Sequence, residues 1–438
     1  MFLLLQRDRP LEPSARYRLG REVIALGRGT RGCVEHKARL EITVDDPWMS
    51  TAHAQIVREG KCWLLSDAGS RNGTLCNGVA ATRTVLEDGD VIEVGRTFFL
   101  FRAALETPRD QRDLVDESEL PQLGDVLRTI SPTFAGALAS LARLARSQIS
   151  IVIVGESGTG KEVLSRTIHE LSGRSGPFLA VNCAALPDSI VQSELFGHKK
   201  GAFSGALEDS PGLVRSADRG TLLLDELGDL GAAGQGALLR VLQEGEVLPI
   251  GGNRPVDVDV RVLSATHRDL ASLAKAGSFR SDLLARLSGF VFRVPPLRER
   301  REDLGILIRA LIRVHGSGAS AISFGQDATR AILAYDWPLN VRELEKCITA
   351  AIAQSPDGSI QTSHLPEQVC AHRPPAVVRK AAGPMGPERD VQRRERLVRL
   401  LEETGGNISE IARVMGTARA QIHRWLRKYE LDPATFRR

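Results

Sequence analysis

"ISIVIVGESGTGKEVLSRTIHEL", Ile149–Leu171, decides the fold of the region around it. Ile149–Val154 is a short, largely β-branched run, a strand pattern far below the ~18 apolar residues of a membrane span. It enters Gly155-Glu-Ser-Gly-Thr-Gly160-Lys161 directly, and a helical pattern follows from Glu162. A glycine-rich turn between a strand and a helix N-terminus aims backbone N–H groups at phosphate oxygens. Glycine allows that approach because no Cβ intervenes. Lys161 is placed to reach the outer phosphates of a nucleotide. The general signature has Ser or Thr after the lysine, and here that residue is Glu162. Further on, Thr221-Leu-Leu-Leu-Asp225-Glu226 is an apolar strand ending in two carboxylates. Beside a phosphate loop, Asp225 is the expected metal holder, through water, and Glu226 the residue that polarises an attacking water.

The same alternation of apolar strands and helices runs over residues 127–366, with "PFLAVN" at 177–182 and "VRVLSAT" at 260–266. Continuous apolar strands between helices predict a parallel sheet covered on both faces. Residues 1–104 read differently. Short β-like runs such as "REVIALGR" (21–28), "HAQIVREG" (53–60) and "DVIEVG" (90–95) alternate with Gly, Asn and Asp, which predicts an all-β sandwich. Residues 105–126 are polar and acidic, with Pro108 and Pro121, and 367–390 are rich in Pro and Gly; both are read as linkers. Residues 391–438 are helical and basic. The expected fold is multidomain: β-sandwich, α/β domain with a helical lid, and an all-α tail.

The 438 residues suit about three domains at ~150 residues each, and 42% hydrophobic with 26% charged content excludes wholesale disorder, collagen and a coiled-coil rod. Met1–Leu5 is too short for a secretory apolar region. Six dispersed cysteines with no Cys-x-x-Cys argue against a disulfide scaffold or zinc site, and predict reduced thiols and a cytoplasmic protein without a membrane partner. The net charge is +4, but Val377–Arg438 holds 14 Lys/Arg against 8 Asp/Glu, a basic tail suited to a polyanion. In that tail Leu397, Leu400 and Leu401 share a face, Asn407 with Glu410 resembles a capping box, and Ile422, Trp425, Leu426 and Tyr429 form a buried stripe. Arg419, Ala420, His423, Arg424, Arg427 and Lys428 then face outward, the logic of a helix-turn-helix.

Residues 127–366 resemble the AAA+ domain of bacterial sigma-54-dependent transcription activators. The shared motifs are "GESGTGKE" (155–162), "PFLAVNCAAL" (177–186), "ELFGHKKGAFSGA" (194–206), "LLRVLQEGEVLPIGG" (238–252), "FRSDLLARL" (279–287), "VPPLRERREDL" (294–304) and "WPLNVREL" (337–344). In this family Glu commonly follows the lysine, so Glu162 becomes a match. The resemblance implies ATP and Mg²⁺ bound by Gly155, Glu156, Ser157, Gly158, Thr159, Gly160, Lys161 and Glu162. It implies that Asn182 restrains the catalytic Glu226, and that Thr266 and His267 stand at the sensor position. Arg342 would be the lid sensor, and Arg280 and Arg286 fingers that act on a neighbour's nucleotide. Fingers acting in trans imply a ring, a hexamer by resemblance. Gly201, Ala202, Phe203, Ser204, Gly205 and Ala206 resemble the loop that contacts sigma-54. Serine stands at 204 where threonine is usual, and Leu339 replaces a usual glycine.

Residues 20–102 resemble a forkhead-associated (FHA) domain through "LGR" (26–28), "MSTAHA" (49–54), "SRNGT" (70–74), "CNG" (76–78) and "LEDGDVIEVG" (86–95). The resemblance implies a phosphothreonine site of Arg28, Ser50, Arg71, Asn72 and Asn77, with His53 structural. The tail (391–438) resembles a Fis-like helix-turn-helix. Arg419, Ala420 and His423 would meet base edges of double-stranded DNA upstream of promoters, with Arg424 beside them, and Arg427 and Lys428 the phosphates. Together these imply an ATP-driven activator that remodels the closed complex of sigma-54 and RNA polymerase, gated by a phosphothreonine protein. Two alternatives stay open in the sequence: a non-catalytic DNA-binding regulator or phosphopeptide scaffold retaining an ATPase fold, and a general protein remodeller. The intact Lys161, Asp225, Glu226, Arg280 and Arg286 argue against the first, and the basic tail against the second.

Overall fold

The computed structural model describes residues 1–37, 39–103, 105, 114–120, 128–187, 190–316 and 322–371, with parts of 397–436. By packing, the chain falls into two units: Met1–Ala81 with Leu86–Val377, and a smaller unit that contains the tail.

The N-terminal sandwich is two facing sheets. One has six strands, with Ala54–Glu59, Val23–Arg28 and Arg39–Val44 at its middle. The other has seven, in which Phe2–Gln6 pairs antiparallel with Thr97–Leu100, and Val91–Val94 continues to Thr74–Cys76. The side-chain period of two explains the packing. Leu3, Phe99 and Phe101 enter the sandwich core with Ile24, Ile42 and Ile56. Phe2, Leu4, Phe98 and Leu100 point to the other face, into a second core. The region expected as the first linker supplies an edge strand instead, Leu114–Asp116, paired with Ala15–Tyr17. Arg31 fixes it, bonding Asp116 at 2.6 Å and the Ser14 carbonyl at 3.1 Å.

The central sheet is parallel, in the order Phe178–Asn182, Thr221–Asp225, Arg261–Thr266, Ile151–Val154, Phe290–Arg293. Ile151 and Ile153 pack against Leu164 and Ile168 of the helix Lys161–Ser172 and against Leu141 of Pro132–Ala145. Val152, Leu222 and Leu224 pack on the opposite face with Leu238 of Ala232–Glu244 and Leu283 of Ser281–Leu287. The predicted two-sided burial is what the sheet has.

The lid follows as helices Leu304–His315, Gln326–Ala334 and Asn340–Gln354. Its apolar stripes meet in the second core, with Trp337 fully buried and its Nε1 donating to the Ile332 carbonyl at 3.1 Å.

In the tail unit, Leu397, Leu401, Ile411, Ile422 and Leu426 form the core, with Trp425 and Tyr429 packed on it. The predicted stripes are therefore the buried ones. Asn407 precedes the helix Ile408–Val414, and its side chain accepts from Glu410 N at 3.4 Å. The DNA candidates Arg419, Ala420, His423, Arg424, Arg427 and Lys428 lie outside the described residues. Among the described residues no helix is long and apolar enough to cross a membrane. All six cysteines are free thiols.

Candidate functional site

Parallel register brings the chemistry to one end of the central sheet. Asn182 is opposite Asp225, and Val154, which precedes Gly155, is opposite Thr266. The phosphate loop leaves that end and wraps the N-terminus of helix Lys161–Ser172, with Gly158 at φ 77° and Gly160 at φ 97°. A Cβ on Gly158 would run into the Leu339 carbonyl of the lid. Glycine is therefore required there twice, for backbone conformation and for close approach.

Lys161 is nearly buried, and its Nζ donates to the carbonyls of Gly155 at 2.9 Å and Glu156 at 3.2 Å. Thr159 Oγ1 donates to the Glu156 carbonyl at 2.8 Å. Glu156 is clamped by the Arg298 fork at 2.6 and 2.8 Å and by Asn340 Nδ2 at 3.2 Å. The Arg298 hydrogen bonds hold its carboxyl below the usual range. Asn340 Nδ2 also reaches the Ser157 carbonyl at 3.0 Å, and Arg342 N donates to the Gly158 carbonyl at 3.3 Å with its guanidinium on Ser157 Oγ. The lid thus grips the loop by its backbone. Leu339 fits because its φ is −99°, which needs no glycine. Glu162 is exposed and pairs with Arg166 at 3.6 Å.

Asp225 is half-buried, and burial pushes its carboxyl up, opposed by Glu226 N–H donation at 3.0 Å and by the charge of Lys161. A carboxylate deprived of water in this way is relieved by a cation, so it suits Mg²⁺. Glu226 follows with φ 51°, a left-handed turn for a non-glycine residue. Its Oε2 lies 2.6 Å from His267 Nδ1. A carboxylate only accepts, so Nδ1 carries the proton. Asn182, expected to restrain Glu226, instead accepts from Ala184 N at 2.9 Å and caps the short turn Cys183–Ala185. The contact made by His267 was not legible, because it depends on the unusual Glu226 backbone. A cleft of about 530 Å³ opens beside this end, lined by Phe134, Gly155, Glu156, His267, Arg293 and Val294.

Arg280 and Arg286 are exposed at the helix Ser281–Leu287. Arg280 forks onto Asp282 at 2.7 and 3.0 Å, and Arg286 donates to the Leu242 carbonyl at 3.1 Å.

The loop 201–206 is closed at its base by Gly201 N to the Ala206 carbonyl at 2.8 Å, with Gly201 at φ 82° and Gly205 at φ 125°. Ala206 is buried and Ala202 sits against Gly251. Phe203 is 44% exposed at the tip, its ring edge-on to His198 at 5.0 Å between centroids. Ser204 is also exposed. Lys199 pairs with Asp209 at 2.6 Å, which locks the stem.

In the sandwich, Arg28 is exposed at a strand end, and Gly27 is needed because a Cβ would strike the Thr51 carbonyl. Ser50 Oγ accepts from Arg71 N at 3.1 Å, and Asn72 Nδ2 donates to the Trp48 carbonyl at 2.7 Å. His53 is fully buried and bridges the two loops, with Nδ1 accepting from Ser50 N at 2.9 Å and Nε2 on the Gly73 carbonyl at 3.0 Å. The structural role expected of it is the one it has. Asn77 spends its amide inside the fold, on Asp90 at 2.8 Å and Val91 N at 2.9 Å.

Family models match these regions: an FHA domain at 17–95, a sigma-54 interaction domain at 127–293, an AAA+ ATPase lid domain at 298–381 and a homeodomain-like domain at 388–434. The transcriptional regulatory protein GlrR of Escherichia coli K12 is 39% identical over 95% of this chain and 94% of its own. The chain belongs to the sigma-54-dependent transcriptional regulators. The regulatory protein AtoC of the same organism is 40% identical over 72% of this chain and 69% of its own. Crystal structures of NtrX from Brucella abortus superpose with a TM-score of 0.51 at 31% identity. The ATP complex covers 71% of both chains, and an ADP complex is similar. This regulator therefore carries an AAA+ ATPase domain of the nucleotide-binding kind, with FHA and helix-turn-helix modules on either side.

Proposed function

We propose that this regulator hydrolyses ATP to drive opening of sigma-54 promoters, under control of a phosphothreonine protein. The observation that carries the reading is the convergence of Lys161, Asp225 and His267-held Glu226 at one sheet end beside a lid-gripped phosphate loop. Lys161 exchanges its two loop carbonyls for phosphate oxygens. Glu226 polarises a water for in-line attack on the γ-phosphorus, the bond to the β-phosphate oxygen breaks, and ADP and phosphate leave. Asp225 would hold Mg²⁺, which would supply positive charge against the phosphates. Arg280 and Arg286 of one copy complete the site of the next, worth about 10³–10⁵ in turnover, so the working form is a ring, as a hexamer.

Phe203 on its glycine-bounded loop contacts sigma-54, and the loop's position follows the nucleotide state. Arg28, Ser50, Arg71 and Asn72 take the phosphothreonine, and the tail helices hold the ring on DNA upstream of the promoter. Two measurements test the whole. ATPase activity should rise more than linearly with protein concentration, and single-round transcription by sigma-54 polymerase on supercoiled DNA should require hydrolysable ATP. Activity strictly linear in concentration, or transcription without hydrolysis, would overturn it. Retention on phosphothreonine peptides that is equal for wild type and Arg28→Ala would remove the gating part alone.

A further inference from the structure

Contacts between domains of one chain are ordinarily polar and permit relative motion. The contact between the FHA sandwich and the AAA+ lid is a hydrophobic core instead. Phe2, Leu4, Phe98 and Leu100, from the outer face of the seven-stranded sheet, lie in one cluster with Ile308, Ile332 and Ile348 of the three lid helices. The backbones also touch. A Cβ on Gly305 would collide with the Leu4 carbonyl, and Phe324 N donates to the Arg7 carbonyl at 2.8 Å.

Charge closes the seam. Arg309 and Glu117 form a fully buried ion pair, with Ser14 joining both: its N–H donates to Glu117 at 3.0 Å and its Oγ accepts from Arg309 at 3.1 Å. At the rim, Arg330 forks onto buried Glu93 with two bonds of 2.8 Å, and Gln326 adds a third at 3.1 Å. Arg102 reaches buried Glu302 at 2.9 Å. Parting the two domains would strand several buried charges, which is strongly unfavourable.

Each domain is tied at its far side to a candidate site. The lid grips the phosphate loop through Asn340 and Arg342, and Leu344 and Ile348 of the same helix lie in the shared core. The sandwich strands that carry the seam also carry the peptide loops. Glu93 sits on Val91–Val94, which pairs with Thr74–Cys76 directly after Asn72 and Gly73. Asp46, ahead of Ser50, accepts from Thr97 Oγ1 at 2.9 Å and Arg96 N at 2.7 Å, at the start of the strand that carries Phe98 and Leu100.

We infer that the FHA sandwich and the lid open and close as one cooperative unit, so that nucleotide at the phosphate loop and phosphothreonine at the FHA loops are linked in both directions through the lid. The inference rests on the nucleotide and phosphopeptide readings above and names the route between them. Linkage makes the effect reciprocal.

Amide hydrogen exchange on the full chain, with and without ADP at about 100 times its Kd, tests it. A ligand that binds only the closed form slows exchange through an opening by about 100-fold at that excess. Amides of Val91–Val94 and Thr97–Leu100 should slow by the same factor as those of Asn340–Gln354. In parallel, the affinity of a degenerate phosphothreonine peptide library should change about fivefold or more when ADP is added. Slowing confined to the lid and phosphate loop, with FHA strands unchanged, overturns the inference while leaving ATP binding intact. Strands that slow beside a library affinity indifferent to ADP overturn the link to phosphopeptide. ADP calorimetry on the same sample reports separately on the nucleotide reading.

Discussion

His267 Nδ1 holds Glu226 Oε2 at 2.6 Å, across the ends of two adjacent strands of the central sheet. The carboxylate reaches the imidazole because Glu226 adopts a left-handed backbone, φ 51°, immediately after the strand. The histidine therefore decides where the carboxylate points.

Removing that hold leaves Glu226 to wander. His267→Ala should lower ATP turnover about 10- to 100-fold with little change in KM, because misplacing a catalytic group acts on the chemical step. His267→Asn, with an amide donor close to the Nδ1 position, should keep most of the rate. Steady-state kinetics read this directly, and a rise in KM at constant turnover would assign His267 to nucleotide binding instead.

Phe203→Ala should abolish open-complex formation and leave ATPase activity within about twofold, since the ring touches His198 and solvent rather than the phosphate loop. Permanganate footprinting of the promoter beside a phosphate-release assay separates the two. Open complexes formed at the normal level would remove the loop from its assigned role.

Gly158→Ala places a side chain at φ 77° and against the Leu339 carbonyl. The left-handed conformation alone costs about 1–2 kcal/mol, and the collision pushes the lid from the loop. ADP affinity by calorimetry should fall by tenfold or more, and far-ultraviolet circular dichroism should confirm that the fold persists.

Asp303 is buried at the lid entrance, accepting from Thr129 Oγ1 and from Ile130 N at 2.8 Å, and burial pushes its carboxyl up from 3.8 to about 6. Between those values the folded chain keeps a proton there that the unfolded chain has lost. The group's contribution to stability therefore falls as pH rises from about 4 to 6 and is level above that. Urea midpoints at pH 4.5 and 7 should show the stability of wild type relative to Asp303→Asn falling at the higher pH, since every other titrating group is common to both proteins.

Much of the molecule was legible because local chemistry dictated it. The phosphate loop declares itself by glycine spacing between a strand and a helix, and Asp225 and Glu226 by two acids at a strand end. The tail's stripe of Ile422, Trp425 and Leu426 follows from helical period. Assignments that depend on how a side chain folds back were harder. Asn182 accepts from Ala184 N two residues on, and Asn77 donates to Asp90 and accepts from Val91 N within its own sheet. The sandwich–lid seam did leave a trace. "FLLL" at 2–5 and "FFLF" at 98–101 are apolar at successive positions, where a sheet wetted on one face would alternate. What covers the second face cannot be read from those strands, because the lid residues that do so lie some two hundred positions away, as in the Arg102–Glu302 pair with its sequence separation of 200.

The Leu4 carbonyl resting on Gly305 has a wider implication. Input modules of modular regulators are commonly imagined as interchangeable parts, cut and joined at the tether. Here the FHA sandwich is also a wall of the AAA+ lid. A deletion variant starting at residue 128 would bare a greasy flank and be expected to clump, and any exchange of the sensor by recombination would have to bring along matching changes at Gly305, Arg309 and Arg330.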